Sequence, residues 1–422
     1  MNAKILLLSI VCILSRLALV GQEAKYSQID SLSARTAALE GIIKELRHLK
    51  ISGYIQAQVQ WGQEAATLRV GSNTSRTSDN TRIGMRRSRV KFSYERGIAS
   101  AVFQIDATER AVGLKDAYIH VRSPWAVLGR SGLRLGVFDR PFGHEISYSS
   151  SLRESPERSA IFNNLFPDER DLGAMLVLQA GKESPIHFLR LEGGLFAGNA
   201  ISPEQDNRRD FAGHLSASNS IGKDIHWSLG VSRYYGYRQQ NTSKVYRMEA
   251  GKFVLSDLSD NLGAYALRRY WGIDAQLSLG SAIGRTELRA EYLWGQQPSA
   301  ANSFRSHNVS TLVSGDTYIR PFRGGYALLT QQIGKTPLSL VLKYDWLDPN
   351  TAIQGEDLGL DNTTSADAAH SAIGMGLLWN INSNLRLQAY YEMPSNETSS
   401  KLKGYEAERK DDNFTLRLQY KF

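Results

Sequence analysis

Cysteine, proline and long apolar runs are all scarce in this chain of 422 residues. Its single cysteine, Cys12, lies in an N-terminal segment that we expect to be removed, so the mature protein has no disulfide and is not a small disulfide-stapled domain. Beyond that segment, no stretch approaches the about 20 consecutive apolar residues of a membrane-spanning helix. Proline is limited to 11 residues while glycine reaches 36, and this balance favours strands joined by turns.

The N-terminus reads as a targeting segment. Lys4 precedes the apolar run Ile5–Val20, which ends near Gly21. This pattern predicts a secretory signal peptide over residues 1–21, cleaved around Gly21. A lipid anchor on Cys12 is the alternative, but Val11 is larger than the small residue that usually precedes a lipid-modified cysteine. Export without disulfides fits a protein of the Gram-negative envelope.

Residues 22–49 carry a helical repeat. Apolar positions recur at spacings of three and four, at Ile29, Leu32, Thr36, Leu39, Ile43 and Leu46. This is a heptad pattern over about three repeats and predicts a short periplasmic helical segment. We favour a coiled coil that holds an oligomer together, and the alternative is a single amphipathic helix lying on the rest of the protein. Thr36 and Gly41 weaken the apolar seam, so we expect it to assist assembly rather than drive it.

From Ile51 the period changes from seven to two. Ile55, Ala57, Val59 and Trp61 alternate with Gln56, Gln58 and Gln60, and later segments repeat this alternation. The last segment, 413–422, places Phe414, Leu416, Leu418, Tyr420 and Phe422 on one face and Arg417 and Lys421 on the other. One apolar and one polar face are typical of a strand between lipid and water. We expect this last strand to close on residues 51–62 in antiparallel pairing.

Short and long connections alternate along nearly the whole chain. The short ones fall near 95–98, 123–130, 181–185, 220–224, 281–284, 334–336 and 381–384; the long ones fall near 63–83, 140–170, 199–208, 237–264, 297–322, 348–369 and 395–411, with a shorter one near 108–113. Periplasmic turns and extracellular loops alternate in this way in outer-membrane barrels. The sequence therefore predicts an all-β fold, a transmembrane antiparallel β-barrel over residues 50–422. It has sixteen strands, or eighteen if 237–264 contains a hairpin, and its interior is water-filled unless a loop enters it.

Several short motifs resemble one known family. They lie, in order, at Arg86–Val90, Leu114–Tyr118, Gly136–Glu145, Ser149–Ser150, Glu157–Ser159 and Arg170–Gly173. Together with the heptad segment and the final strand, they resemble the phosphate-selective porin O and P family of Gram-negative outer-membrane porins over most of the mature chain. The resemblance implies a trimer of sixteen-stranded barrels in which an inward-folded third loop, here 140–170, helps to form an anion site.

The resemblance also assigns site residues. The family's arginine pair falls on Arg86 and Arg87, its loop hydroxyls on Ser149 and Ser150, and its loop arginine on Arg158. Guanidinium groups offer fixed donors for an oxyanion, and serine hydroxyls add neutral donors that moderate the binding. With Arg89, which alternation places on the same face as Arg87, the candidate anion-binding residues at the pore constriction are Arg87, Arg86, Arg89, Ser149, Ser150 and Arg158.

Alternation conflicts with the resemblance at one residue. It places Arg87 in the lumen and Arg86 on the opposite face. Arg86 therefore reaches the pore only if the strand is bulged there or if the residue lies above the lipid. For this reason we rank Arg87 above Arg86.

The expected function is passive diffusion of small anionic solutes, phosphate-like oxyanions among them. A general porin, or one specific for another nutrient, is the alternative, because Asp106, Asp116, Glu287, Glu291 and Asp345 also face inward. A barrel enzyme is disfavoured, since the histidines are scattered and no Gly-x-Ser-x-Gly or His-Glu-x-x-His motif occurs. Surface adhesion through the long loops stays open as a secondary role.

The expected partners follow from the same interpretation. They are outer-membrane lipid, small anions such as phosphate, further copies of the chain in a homotrimer, and the barrel-assembly machinery, which would recognise the C-terminal Phe422. We expect no catalytic or metal site, no cofactor and no nucleic-acid partner.

Overall fold

The computed structural model is a closed antiparallel barrel of sixteen strands. It describes residues 33, 35–41, 43, 45–71, 80–203, 206–306 and 315–422. The strands, with two that lie outside the barrel, are β1 (Leu49–Gly62), β2 (Asn80–Arg96), β3 (Ala99–Ala107), β4 (Val112–Arg122), β5 (Gly132–Asp139), β6 (Arg170–Leu178), β7 (Leu189–Phe196), β8 (Asp210–Ile221), β9 (Ile225–Gln239), β10 (Lys244–Glu249), β11 (Lys252–Asp257), β12 (Tyr265–Ser281), β13 (Gly284–Ser299), β14 (Thr317–Gln332), β15 (Leu338–Asp348), β16 (His370–Asn380), β17 (Leu385–Asn396) and β18 (Asn413–Lys421). Beyond the N-terminal residues considered below, the helical structure of the described residues comprises α1 (Ala160–Leu165) and 3-10 turns at Ala126–Leu128, Ser259–Asn261 and Gly355–Asp357. Within the described ranges, no helix is long and apolar enough to cross a membrane.

The first and last strands close the barrel. Tyr54 of β1 lies opposite Lys421 of β18, and the register continues to Gly62 opposite Asn413. Beyond the end of β18, Gly53 and Phe422 exchange two backbone hydrogen bonds of 2.9 and 3.0 Å. The predicted antiparallel pairing of 413–422 with 51–62 is confirmed.

The two faces of the barrel strands differ as the alternation predicts. In β1 the side chains of Gln56, Gln58 and Gln60 are buried inside the barrel. Ile55 and Trp61, on the other face, are 39 % and 42 % exposed on its outer surface. A bilayer would cover this outer face, because it presents apolar side chains over most of the strands.

A β-bulge in β2 resolves the conflict at Arg86. Gln56 of β1 lies opposite Arg87, but its neighbour Ala57 lies opposite Met85. Arg86 is therefore the extra residue of the bulge, and such a residue is released from strict alternation. Its side chain consequently reaches the interior together with that of Arg87.

A second bulge occurs in β4. Gln104 of β3 lies opposite Asp116, whereas the next residue, Ile105, lies opposite Leu114. Lys115 is the extra residue, and its Nζ also turns inward, towards residues of the third long connection. Two bulged strands near each other in the wall thus each direct an additional cation into the barrel.

The long connection between β9 and β12 contains a hairpin that stands outside the ring of strands. Its strands β10 and β11 pair with each other, and Val245–Arg247 pair in parallel with the start of β14. The ring itself closes without them, because β9 pairs directly with β12 from Gln239 opposite Tyr265 to Ile225 opposite Leu279. Sixteen strands are therefore confirmed, and the eighteen-stranded alternative is wrong.

The residues described between 33 and 46 are helical and precede the barrel. Leu39, Ile43 and Leu46 of the heptad seam are 58 %, 50 % and 57 % exposed. Ile29 and Leu32 lie outside the described residues, as does the segment 1–21. The helical residues end at Leu46, ahead of β1.

An apolar core fills one part of the barrel interior. Residues 140–169, which connect β5 to β6 and are called loop 3 below, lie inside the barrel. The core contains loop residues Phe142, Ile146, Ile161, Phe162, Leu165 and Phe166 and wall residues that include Tyr234, Tyr270, Phe322 and Tyr326. Phe166 packs edge-on against Tyr234 and Tyr270, with ring centroids 5.4 and 5.8 Å apart. Each such pair contributes about 0.5–1.5 kcal/mol beyond the area it buries, so loop 3 is firmly seated.

Candidate anion site inside the barrel

Loop 3 is first anchored where it leaves β5. The carboxylate of Glu291, on β13, accepts hydrogen bonds from the backbone N–H groups of His144 and Glu145 at 2.8 and 2.7 Å, and from the hydroxyl of Tyr326 at 2.7 Å. Gly143 has φ 61° and lies so close to this carboxylate that any side chain would clash with it. The start of the loop is therefore fixed to the wall at β13 and β14.

The loop then crosses to β17, β18 and β1, whose side chains bind its carbonyl groups. Gln56 donates to Ser150 O, Gln419 to Ser151 O, Arg386 to Leu152 O and Arg153 O, Gln388 to Glu154 O, and Arg417 to Pro156 O. Six carbonyls between 150 and 156 are thus held by the wall. Because this many buried acceptors are satisfied, the path of the loop is closely defined.

Three arginines surround one carboxylate of the loop. Arg86 donates from Nε and Nη2 to the two oxygens of Glu157, both at 2.7 Å. Arg87 Nη2 approaches the same carboxylate at 3.0 Å and Arg417 Nη2 at 2.9 Å. We call Arg86, Arg87 and Arg417 the arginine clamp. Burial raises the pKa of Glu157, but these guanidiniums lower it more, and it lies well below its usual range.

Ser150 and Arg89 extend the clamp along the wall. The Ser150 hydroxyl lies 2.5 Å from the hydroxyl of Tyr54 and accepts a hydrogen bond from Arg89 Nη1 at 3.1 Å. Arg89 Nε also donates to Asp106 at 2.7 Å. Ser149, the neighbouring hydroxyl, lies 3.0 Å from that of Ser151 and is exposed to the lumen.

A second carboxylate, near the end of the loop, forms ion pairs with three further cations. Glu169 pairs with Arg158, with Arg170, and with the bulge residue Lys115 at 3.3 Å. Its backbone φ of 65° lies in the left-handed region, which costs a non-glycine residue about 1–3 kcal/mol. Burial raises the pKa of Glu169, but the surrounding cations outweigh it and hold that pKa well below its usual range.

The charged network that surrounds Glu157 and Glu169 carries an excess of positive charge. Seven cations converge there, namely Arg86, Arg87, Arg89, Lys115, Arg158, Arg170 and Arg417, against the four carboxylates Asp106, Asp116, Glu157 and Glu169. Buried Arg153 adds to them. In the described part of the chain its guanidinium has no carboxylate within ion-pair distance and donates only to Tyr148 O, at 3.3 Å.

Two cavities flank the middle of loop 3. One of about 220 Å³, on the side of the long connections, is lined by Gln60, Glu157 and Arg158 among others. The other, of about 290 Å³ on the side of the short turns, is lined by Leu152 and Glu154 among others. Residues 152–158 therefore stand between an outer and an inner compartment of the lumen.

The structure brings the predicted site residues together. Arg86, Arg87, Arg89, Ser150 and Arg158 all contact loop 3 or belong to it, and Ser149 borders them. Whether they bind an anion remains a prediction.

Sequence reasoning did not identify Lys115 and Glu169 as members of this network, nor Glu157 as the centre of the clamp. One signal was available. Two adjacent charged residues occur at Arg86-Arg87 and at Lys115-Asp116. Strict alternation in a barrel strand would make one residue of each pair apolar. Both pairs lie at a bulge.

Comparisons with known proteins agree with this architecture. A family model described as "Phosphate-selective porin O and P" matches residues 55–422. None of the curated protein sequences matches the chain.

Three solved structures show the same fold. An anion-selective porin from Comamonas acidovorans has a TM-score of 0.52 and 11 % identity, and the match covers 89 % of this chain and 99 % of that one. The outer membrane channel DcaP of Acinetobacter baumannii has a TM-score of 0.54 and 13 % identity, with 89 % of this chain and 97 % of that one covered. The trimer form of OmpT, an outer membrane protein of Vibrio cholerae, has a TM-score of 0.50 and 11 % identity, with 89 % of this chain and 99 % of that one covered. At these identities the likeness concerns the fold alone.

Proposed function

The chain belongs to the phosphate-selective porin O and P family, and within it we propose that this outer-membrane porin passes small anions by diffusion, phosphate-like oxyanions among them. The observation that carries the proposal is the excess of cations over carboxylates in the network around Glu157 and Glu169. Inside a narrow lumen such an excess attracts anions and repels cations, and its effect exceeds that of the same charges in open water.

The donors at the site suit transport rather than tight capture. Guanidiniums of Arg87 and Arg158 supply charged donors, and the exposed hydroxyl of Ser149 supplies a neutral one. Arg87 and Arg158 are each partly compensated by a carboxylate of loop 3. A transported ion must leave as readily as it enters, so moderate donors serve better than a fully coordinating cage.

A general or other nutrient-specific porin is the second candidate. It is favoured by the carboxylates of Asp274, Glu287, Glu291 and Asp345, which lie among basic side chains on β12, β13 and β15. A lumen with both signs of charge would also admit neutral and zwitterionic solutes. The two candidates differ in ion preference, which can be measured directly.

The first experiment measures that preference in planar bilayers. Purified protein is reconstituted and the zero-current potential is recorded across a tenfold gradient of potassium chloride. We expect the sign that belongs to chloride permeation, because the network around Glu157 and Glu169 carries an excess of positive charge. A potential of the opposite sign would remove the anion proposal and leave a porin of other selectivity.

The second experiment tests the residues. Inorganic phosphate should partly block the chloride current of the wild type, and the double variant Arg87→Gln, Arg158→Gln should weaken the block by about tenfold. Arg190→Gln with Arg285→Gln is the matched control, because it removes two cations on the inner faces of β7 and β13 whose described partners lie outside the site. Equal loss of block in both double variants would point to overall charge rather than to this site.

We also propose how the protein is exported and assembled. Residues 1–21 would act as a cleaved signal peptide, and three chains would form a homotrimer, the form reported for the structurally similar OmpT of Vibrio cholerae. Phe422, at the exposed end of β18, would be recognised by the barrel-assembly machinery. The mass of the mature N-terminus, the mass of the detergent-solubilised complex and the folding yield without Phe422 test these three statements.

A further inference from the structure

The centre of the arginine clamp is occupied by the protein's own carboxylate. Arg86 binds both oxygens of Glu157, and Arg87 and Arg417 each contribute a further contact, at 2.7 to 3.0 Å. Three convergent guanidiniums are also the donors that a phosphate or another oxyanion requires. The clamp therefore presents an anion site whose present ligand is a side chain of loop 3.

Anchoring of the loop does not depend on this carboxylate alone. On one side of Glu157, Arg417 Nη1 donates to Pro156 O at 2.8 Å and Gln388 donates to Glu154 O. On the other side, the Ser159 N–H donates to both oxygens of Glu145 at 3.2 and 3.1 Å. Because the backbone on both sides is held independently, the Glu157 side chain can leave the clamp without release of the loop.

Space for such a movement borders the side chain. Glu157 and Arg158 line the outer cavity of about 220 Å³, together with Gln60 and Thr415. Glu157 keeps 16 % of its side-chain surface exposed and Arg86 keeps 26 %. An anion arriving from the side of the long connections would therefore meet the carboxylate and the clamp at the same time.

We propose that Glu157 is a tethered competitor that lowers the affinity of the arginine clamp for permeating oxyanions. The inference rests on the proposed function and deepens it, because it names the residue that keeps the site weak. A group tethered beside its site competes at an effective concentration on the order of millimolar or more. A permeating phosphate must displace Glu157, and the returning carboxylate in turn displaces the phosphate.

The test compares Glu157→Gln with Glu154→Gln. Both substitutions neutralise one carboxylate of loop 3, but Glu154 pairs with Arg289 at 3.0 Å and lies outside the clamp. The measured quantity is the concentration of inorganic phosphate that halves the chloride current in planar bilayers. We expect this concentration to fall by roughly tenfold in Glu157→Gln and to stay within about twofold of the wild type in Glu154→Gln.

Three outcomes would overturn the inference. An unchanged or higher half-block concentration in Glu157→Gln would mean that the carboxylate does not compete, and an equal fall in both variants would mean that only net charge matters. The third outcome concerns Glu157→Asp, which retains the charge on a shorter side chain. If phosphate blocked its chloride current at as low a concentration as in Glu157→Gln, the negative charge at this position would not be what weakens phosphate binding. Heat-modified mobility on gels verifies that each barrel is folded.

Failure of the proposed function is a separate result. It would be seen in the wild type, as a zero-current potential of the cation-selective sign. A wild type that prefers anions but whose block does not respond to Glu157→Gln rejects the competitor and leaves the porin proposal intact.

Discussion

Single residues decide which charges enter the lumen. In a strictly alternating strand only one of two adjacent arginines could face inward, but the bulge at Arg86 directs both Arg86 and Arg87 to Glu157. The bulge at Lys115 does the same for Glu169. The cationic character of the site therefore depends on two local irregularities of the backbone as well as on composition.

The depressed pKa of Glu157 leads to a prediction about pH. Burial raises this pKa, but the clamp lowers it by more than burial raises it. The pKa of Glu157 therefore lies well below the ordinary value for glutamate. A carboxylate with a depressed pKa stays ionised above about pH 4.3, and it loses its charge only as the pH falls through the lower, folded-state value. We expect the difference in anion-over-cation permeability between Glu157→Gln and the wild type to persist at pH 7, 6 and 5 and to narrow only below about pH 4.

Zero-current potentials of the two proteins at each pH give this difference. Other carboxylates such as Glu169 titrate in both proteins and cancel in the comparison. A difference that had already vanished at pH 5 or 6 would show that the clamp does not hold Glu157 ionised.

At the scale of elements, the start of loop 3 is held by buried acceptors on the wall, whereas its middle is held by donors. The main acceptor at the start of the loop is the carboxylate of Glu291, which binds two backbone N–H groups and the Tyr326 hydroxyl. In Glu291→Leu these donors lose their acceptor, at a cost of about 1–3 kcal/mol each. We expect residues 143–145 to detach, and the single-channel conductance to rise and fluctuate.

The matched control is Glu287→Leu. Glu287 lies on the same face of β13, and its ion contact is a 3.9 Å approach to Arg289. Its removal changes the lumenal charge equally but leaves the loop anchored. Identical single-channel records from the two variants would mean that charge, and not anchoring, sets the conductance.

Most element boundaries could be predicted from period-two alternation, whereas the interior could not. Alternation reports which face of a strand meets lipid, so the strands, the alternating connections and the closure of β18 on β1 are all visible in it. It carries no information on what a loop packs against. The apolar core depends on contacts such as Phe166 with Tyr234, which are 68 positions apart in sequence. A weak signal exists, since Tyr234 and Tyr270 are aromatic residues on the lumenal parity.

The sequence indicated which residues belong to the candidate site, but not which of them form ion pairs with one another. Motif resemblance indicated Arg86, Arg87 and Arg158. The pairing of these cations with Glu157 and Glu169 follows from the bulges and the path of loop 3, and both are tertiary features. Sequence analysis therefore indicates which charged residues face the lumen but not which of them pair, whereas the structure shows Arg87 and Arg158 matched to carboxylates of the loop.

At the scale of the whole molecule, the barrel separates three tasks among three surfaces. Its outer face is apolar, its interior carries the charged network of loop 3, and its two ends differ in the length of their connections. The hairpin β10–β11 lengthens one of those connections and packs on β14 without entering the ring. An insertion of this kind changes the outer mouth while the sixteen-strand geometry, and with it the position of the site, stays the same.

The helical residues before the barrel carry the last prediction, which concerns the trimer. Leu39 and Ile43 are at least half exposed in the single chain, although a heptad seam is stable only when it is covered. In a homotrimer three such helices would cover one another. Leu39→Gln with Ile43→Gln would then lower the temperature at which the trimer dissociates in mild detergent, by roughly 10 °C, with the barrel intact.

Glu40→Gln, beside the seam, is the control and should not change that temperature. The effect is a shift rather than a loss of the trimer, because Thr36 and Gly41 already weaken the seam. Dissociation is followed on gels at increasing temperature, with the heat-modified mobility of the monomer as the readout for the folded barrel. An unchanged dissociation temperature in the seam variant would assign these residues to a single helix that lies against the short-turn end of β2, where Tyr94 donates to Glu45 at 3.2 Å.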